Sequence, residues 1–127
     1  MGTRSMIGST DRKDTVYAAY CHYDGYFDGV GLTLHKYWTG DQFLDMISQP
    51  DFDYIASLGK DVRSTELNVG NKDNSVDVFK NGAEYQRAFK GGQDVDYIYL
   101  YDNRLKQWMG MNTRKDSAWK HLDDVFD

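Results

Sequence analysis

The order of apolar and polar positions divides the chain into short stretches of period two and short stretches of helical spacing. Residues 3–8, TRSMIG, read as a strand, DRKD at 11–14 as a turn, and 15–23, TVYAAYCHY, as the next strand, giving an N-terminal β-hairpin. In the second strand Val16, Ala18, Tyr20 and His22 fall on one face, and Tyr17, Ala19, Cys21 and Tyr23 on the other. The loop DGYFDGVG then feeds a helix over 30–38, with Leu34 and Trp38 four apart. Thr39-Gly40 interrupts it, and Asp41 is the expected cap of a second helix over 41–48, whose Phe43, Leu44 and Ile47 share a face.

Pro50 ends that helix, and DFDYIASLG reads as a helical turn closing at Gly59. VRSTELNV alternates as a strand, NKDN is a turn, and SVDVF is a further strand candidate. NGAEYQRAFKGG predicts a short helix with Tyr85 and Phe89 on one side and glycines at its end. The clearest hairpin is DVDYIYLYDNRLKQWMGMN, turning at DNR. Both faces of its outgoing strand are apolar or aromatic, which places that strand centrally in a sheet. DSAWKHLDDVF predicts a last helix capped by Asp116, with Trp119, Leu122 and Phe126 inward. The sum is an α+β single domain spanning 1–127: an antiparallel sheet of about four to six strands, with helices packed on one face.

Composition narrows the classes. A chain of 127 residues suits one core, and its one cysteine forms no internal disulfide and fits a reducing compartment. No apolar run approaches a membrane span and the start lacks a secretory signal, so no membrane partner and a cytoplasmic location are expected. A net charge of −5 argues against non-specific binding along a polyanion. Basic residues are scattered. Arg104/Lys106 and Arg114/Lys115 flank Trp108, a thin basic–aromatic signal, and nucleic acid is not the expected partner. Ten tyrosines suit both a small core and an interface, and a homodimer is compatible with that composition.

The candidate chemistry lies in residues 21–35. Adjacent Cys21 and His22 point to opposite faces of a strand, whereas His22 and Asp24 can share one and brace the turn. A cysteine-dependent hydrolase or transferase would use Cys21 as nucleophile, His22 and Asp24 as a pair, and His35 or His121 as base. The amides near Gly29 and Gly31 would then serve as an oxyanion or phosphate site. Against this, a lone cysteine in an apolar strand is ordinarily a small buried hydrophobe, and the glycines at 25, 29 and 31 simply allow close packing where strand meets helix. DGYFDGVG is neither a dinucleotide nor a Walker loop. Cys21, His22, Asp24 and His35 are metal-ligand types without metal-ligand spacing, so no metal and no cofactor are expected. Asp51/Asp53 and Asp123/Asp124 read as solvated charge.

Thr3, Arg4, Ser5, Ile7 and Gly8, then Tyr20, Cys21, His22, Asp24, Gly25, Tyr26, Gly29, Val30, Gly31, Leu34 and Tyr37, form one extended motif. With the aromatic strand Tyr97–Asp102 and Trp108, it resembles a family of small bacteriophage and bacterial proteins carrying a YCHWDGYPxGVG-type segment. Tyr23 stands where that family has tryptophan, and Phe27 where it has proline. The resemblance implies context: a phage-encoded or prophage-type accessory protein acting in a bacterial cytoplasm. Small size, an incomplete catalytic constellation and a composition rich in tyrosine and tryptophan favour a protein that binds and occupies a host or viral protein without catalysis. On that reading Tyr23, Asp24, Gly25, Tyr26, Phe27, Gly29, Gly31 and Trp108 form the binding surface. A nucleotide-sequestering protein is the alternative beside the cysteine enzyme.

Overall fold

The computed structural model describes residues 3–21, 25–47, 76–91 and 95–126. Strands β1 (Ser5–Thr10) and β2 (Val16–Cys21) form the expected N-terminal hairpin. Its turn is held by Asp11, whose Oδ1 accepts from the Lys13 and Thr15 amides at 2.8 and 3.0 Å. Strand β3 (Asp77–Phe79) pairs antiparallel with β2. Strands β4 (Tyr97–Asp102) and β5 (Gln107–Asn112) form the late hairpin. Its turn takes four residues, with the Asp102 carboxylate accepting from the Arg104 amide at 2.8 Å. A two-residue strand, β6 (Lys120–His121), adds to β5.

Among the described residues the sheet order is β3-β2-β1-β4-β5-β6, six strands with the aromatic β4 central, as its two apolar faces require. Four of the pairings are antiparallel, but β1 and β4 run parallel. The fold is therefore α+β with a mixed, mostly antiparallel sheet. The strict alternation of β2 holds. Ala19 and Cys21 enter one core cluster, Val16 and Ala18 the other.

Helices cover both faces, where the sequence predicted one. On the first face lie α1 (Leu32–Tyr37), α2 (Gly40–Ile47) and α4 (Leu122–Phe126), with Leu34, Phe43 and Leu122 fully buried against Ile7 and Tyr99. On the second face α3 (Gly82–Phe89) buries Tyr85 and Phe89 against Val16, Ile98 and Leu100. The predicted pair Tyr85/Phe89 was thus correct. Its face could not be assigned, because β4 is apolar on both sides.

Element ends shift from the sequence reading, the first strand from 3–8 to Ser5–Thr10 and the first helix from 30–38 to Leu32–Tyr37, and three shifts have a visible cause. Thr39, not Asp41, begins α2. Its Oγ1 accepts from the Gln42 amide at 3.2 Å while Gln42 Oε1 accepts from the Thr39 amide at 2.9 Å, a reciprocal capping box. Asp116 caps no helix; it accepts from the Asn112 amide at 2.8 Å and closes the turn after β5. The expected helix over 116–126 is cut to Leu122–Phe126. Residues 119–121 instead alternate across the sheet edge, so Trp119 stacks on Tyr85 at 6.0 Å and Lys120 pairs opposite Gly110. The expectations for Pro50, DFDYIASLG, VRSTELNV and NKDN lie outside the described residues.

Candidate functional site

The motif loop leaves β2 beside the start of β1, where the Gly25 amide donates to the Thr3 carbonyl at 2.8 Å. From there the chain coils into one π-helical turn, Phe27–Gly31, which runs directly into α1. The Tyr26 carbonyl collects the Gly29 amide at 3.0 Å and the Gly31 amide at 3.4 Å. The amides proposed as an oxyanion or phosphate site are therefore already bonded within the loop.

Beneath the loop stands Tyr99, fully buried in the middle of β4. Its hydroxyl donates to the Gly25 carbonyl at 2.6 Å. Burial pushes its ionisation well above the ordinary tyrosine value of 10.0, reinforced by nearby Tyr97 and Cys21 and opposed by the Gly31 backbone. The ring passes so close to Gly31 that an added Cβ would sit 3.2 Å from its Cε1 and Oη. On the other side, a Cβ on Gly110 would meet Tyr99 Cδ1 at 2.8 Å and Phe27 Cε1 at 3.1 Å. Two glycines distant in sequence thus form the walls of one slot. The glycine-rich segment is shaped around a tyrosine that the motif itself does not contain.

Cys21 is 0% exposed and belongs to the core cluster with Val30, Leu34 and Tyr99. His35 faces the C-terminal helix instead: its Nδ1 lies 3.4 Å from Asp123 Oδ1, and its ring packs 5.3 Å from Phe126. His121 sits on the edge strand β6, with a buried Nδ1 that has no hydrogen-bond partner. His22, Tyr23 and Asp24 lie outside the described residues. Among the described residues, no three His, Cys, Asp or Glu side chains converge as metal ligands. No described helix is long and apolar enough to cross a membrane.

The aromatic candidates separate. Trp108 is 6% exposed. Its Nε1 donates to the Trp38 carbonyl at 2.9 Å, and Tyr101 and Phe43 meet its ring edge-on. It is a core residue, and the basic–aromatic patch read around it has no surface tryptophan at its centre. Tyr26 is 40% exposed at the loop's outer side. Phe27 is half-buried, edge-on to Tyr97 at 5.1 Å and to Tyr99 at 6.2 Å, with the Lys120 ammonium 5.9 Å from its ring centre.

Phe27 also lines a cleft of about 500 Å³, completed by Trp119, Lys120, His121, Asp124 and Val125. No local signal points to this meeting of the motif with the C-terminal segment, since Trp119 fits helical spacing and reads as core. Lys120 is additionally tied to Asp116 at 3.3 Å. Compared with protein-family models, with curated proteins and with solved structures, the chain matches none of them.

Proposed function

We propose that the protein is a non-catalytic binding protein of phage type, which occupies a host or viral protein in a bacterial cytoplasm through the surface around Tyr26 and Phe27. One observation carries this reading. Backbone groups of the motif loop are bonded internally, the Gly29 and Gly31 amides on the Tyr26 carbonyl and the Gly25 carbonyl on the Tyr99 hydroxyl, while the Tyr26 side chain is 40% exposed. A loop pinned in this way presents Tyr26 from a fixed backbone, and preorganised aromatic side chains are enriched among interface anchors. Cys21 lies in the core, so a reaction at its sulfur would need the fold to open first. The resemblance of the motif to phage and bacterial proteins supplies the cellular setting.

A photo-crosslinking residue placed at Tyr26 in bacterial cells is expected to trap one discrete protein, and Phe27→Ser is expected to abolish that adduct. The same residue at Val78, 59% exposed on the β3 edge, is expected to trap none. Adducts equal at both positions, or none at Tyr26, would end the proposal. A second reading, a nucleotide-sequestering protein, draws on the cleft itself, whose size suits a small molecule and whose Phe27, Trp119 and Lys120 offer aromatic surface and a cation. It predicts stabilisation of about 2.7 kcal/mol by a nucleotide at 100 times its Kd.

A further inference from the structure

The far end of the β1–β2 hairpin from the motif carries charge of the opposite sign to the chain as a whole. The two hairpin tips lie side by side there: the Asn103 amide donates to Thr10 Oγ1 at 3.0 Å, and Arg104 pairs with Asp14 across the gap. Because Val16 pairs with Phe79, Lys80 emerges at the same end. Arg12, Lys13, Lys80, Arg104 and Lys106 are all exposed, and Leu105 stands between the last two at 54% exposure.

The carboxylates of this end are engaged in the turns themselves. Asp11 holds the Lys13 and Thr15 amides, Asp102 holds the Arg104 and Leu105 amides, and Asp14 meets Arg104. Asp41, at the start of α2, lies near Tyr101 on the first face of the sheet. On the second face a cleft of about 440 Å³ opens between the tips and α3, lined by Asp14, Arg104, Leu100, Asn81 and Gly82 among others.

We propose that this end is a second binding surface, separate from the motif surface, which takes an acidic segment of a partner protein. Cations from three different elements converge on it, and an apolar side chain stands at its apex. That combination of an apolar anchor and surrounding cations fits a protein segment carrying carboxylates and an apolar residue. A phosphate backbone offers nothing to Leu105, whereas a peptide segment can set an apolar side chain against it.

The test is fluorescence anisotropy of the whole protein with a short fluorescein-labelled peptide of alternating glutamate and leucine. Single-stranded oligothymidine and vesicles of phosphatidylcholine with phosphatidylserine serve as competitors. The peptide is expected to bind, and more weakly as salt rises. Arg12→Glu on one tip and Lys80→Glu after β3 are each expected to weaken binding about tenfold, since reversing a charge places like charges across the contact. Leu105→Ser is expected to weaken it about threefold with an unchanged salt dependence, as loss of part of an apolar contact does. Tyr26 variants are expected to bind the peptide normally, which separates this surface from the one under Proposed function. Absence of peptide binding at low salt, indifference to both charge reversals, or displacement of the peptide by the oligonucleotide or the vesicles would overturn it.

Discussion

The two faces of the sheet each bury a tyrosine whose hydroxyl donates to a backbone carbonyl, yet they solve the packing problem in different ways. On the second face Tyr85 comes from an amphipathic helix, lies fully buried, and donates to the Tyr99 carbonyl at 2.9 Å. Three aromatic side chains, Phe79, Phe89 and Trp119, lie within 6.0 Å of it between ring centres, and one glycine, Gly8, approaches its ring, where an added Cβ would sit 3.3 Å from Cζ. On the first face Tyr99 comes from the sheet, and beside the side chains of its core cluster it meets backbone at Gly25, Gly31 and Gly110. Side chains can repack around a change, whereas backbone yields only by moving an element. The face that carries the motif should therefore be the less tolerant one.

Glycine substitutions break this comparison most sharply. Gly110→Ala would drive a methyl to within 2.8 Å of the Tyr99 ring and is expected to destabilise by about 2–3 kcal/mol, the upper range for overpacking. Gly82→Ala, at the start of α3, meets only the flexible end of Leu100 at 3.2 Å. It is expected to lie within about 0.5 kcal/mol of the parent, because alanine's helix propensity offsets the contact. Urea unfolding of both variants decides the matter. Equal losses would mean that the two faces are equally rigid.

Removing the hydroxyls comes next in size. Tyr99→Phe leaves the buried Gly25 carbonyl without its partner and is expected to cost about 1–3 kcal/mol. Tyr85→Phe frees a carbonyl of β4, which lies between β1 and β5, and is expected to cost about 1 kcal/mol, the net worth of one hydrogen bond. The reverse order would show that the loop's hold on Tyr99 is weaker than its geometry implies.

A smaller and shared effect appears at alkaline pH. Burial raises the ionisation of both Tyr85 and Tyr99 well above 10.0. An acid whose folded-state pKa is raised contributes stability that is intact below the unfolded pKa, near 10, and is lost as pH climbs toward the folded value. Stability measured in urea should therefore be flat in this respect up to about pH 10 and fall above it. The fall should be shallower in Tyr99→Phe, which has one fewer linked proton.

Much of this arrangement was legible in the order of residues. Alternation separated the faces of β2, the double-sided apolarity of β4 placed it centrally, and the i, i+4 pair Tyr85/Phe89 marked the buried side of α3. What escaped was long-range pairing. The parallel contact of β1 with β4 follows from no local signal, and the second face of the sheet is invisible when both faces of β4 read alike. Local spacing also misled where two periods coincide, since Trp119 fits helical spacing but immediately precedes the edge strand β6. At the motif, the glycines suggested an anion site because their amides have no partner in a linear reading. Only the fold brings the Tyr26 carbonyl and the Tyr99 ring to them.

The central claim is that the motif builds a scaffold around Tyr99 and leaves Cys21 as core. Alkylation of Cys21 by iodoacetamide, in the native protein at neutral pH and across a series of urea concentrations, tests it most directly. A sulfur with no exposure should react only as fast as the protein opens, with a rate that rises in step with destabilisation by urea or by Gly110→Ala. Rapid modification without urea, at a rate indifferent to stability, would place the thiol at a working site and contradict the account.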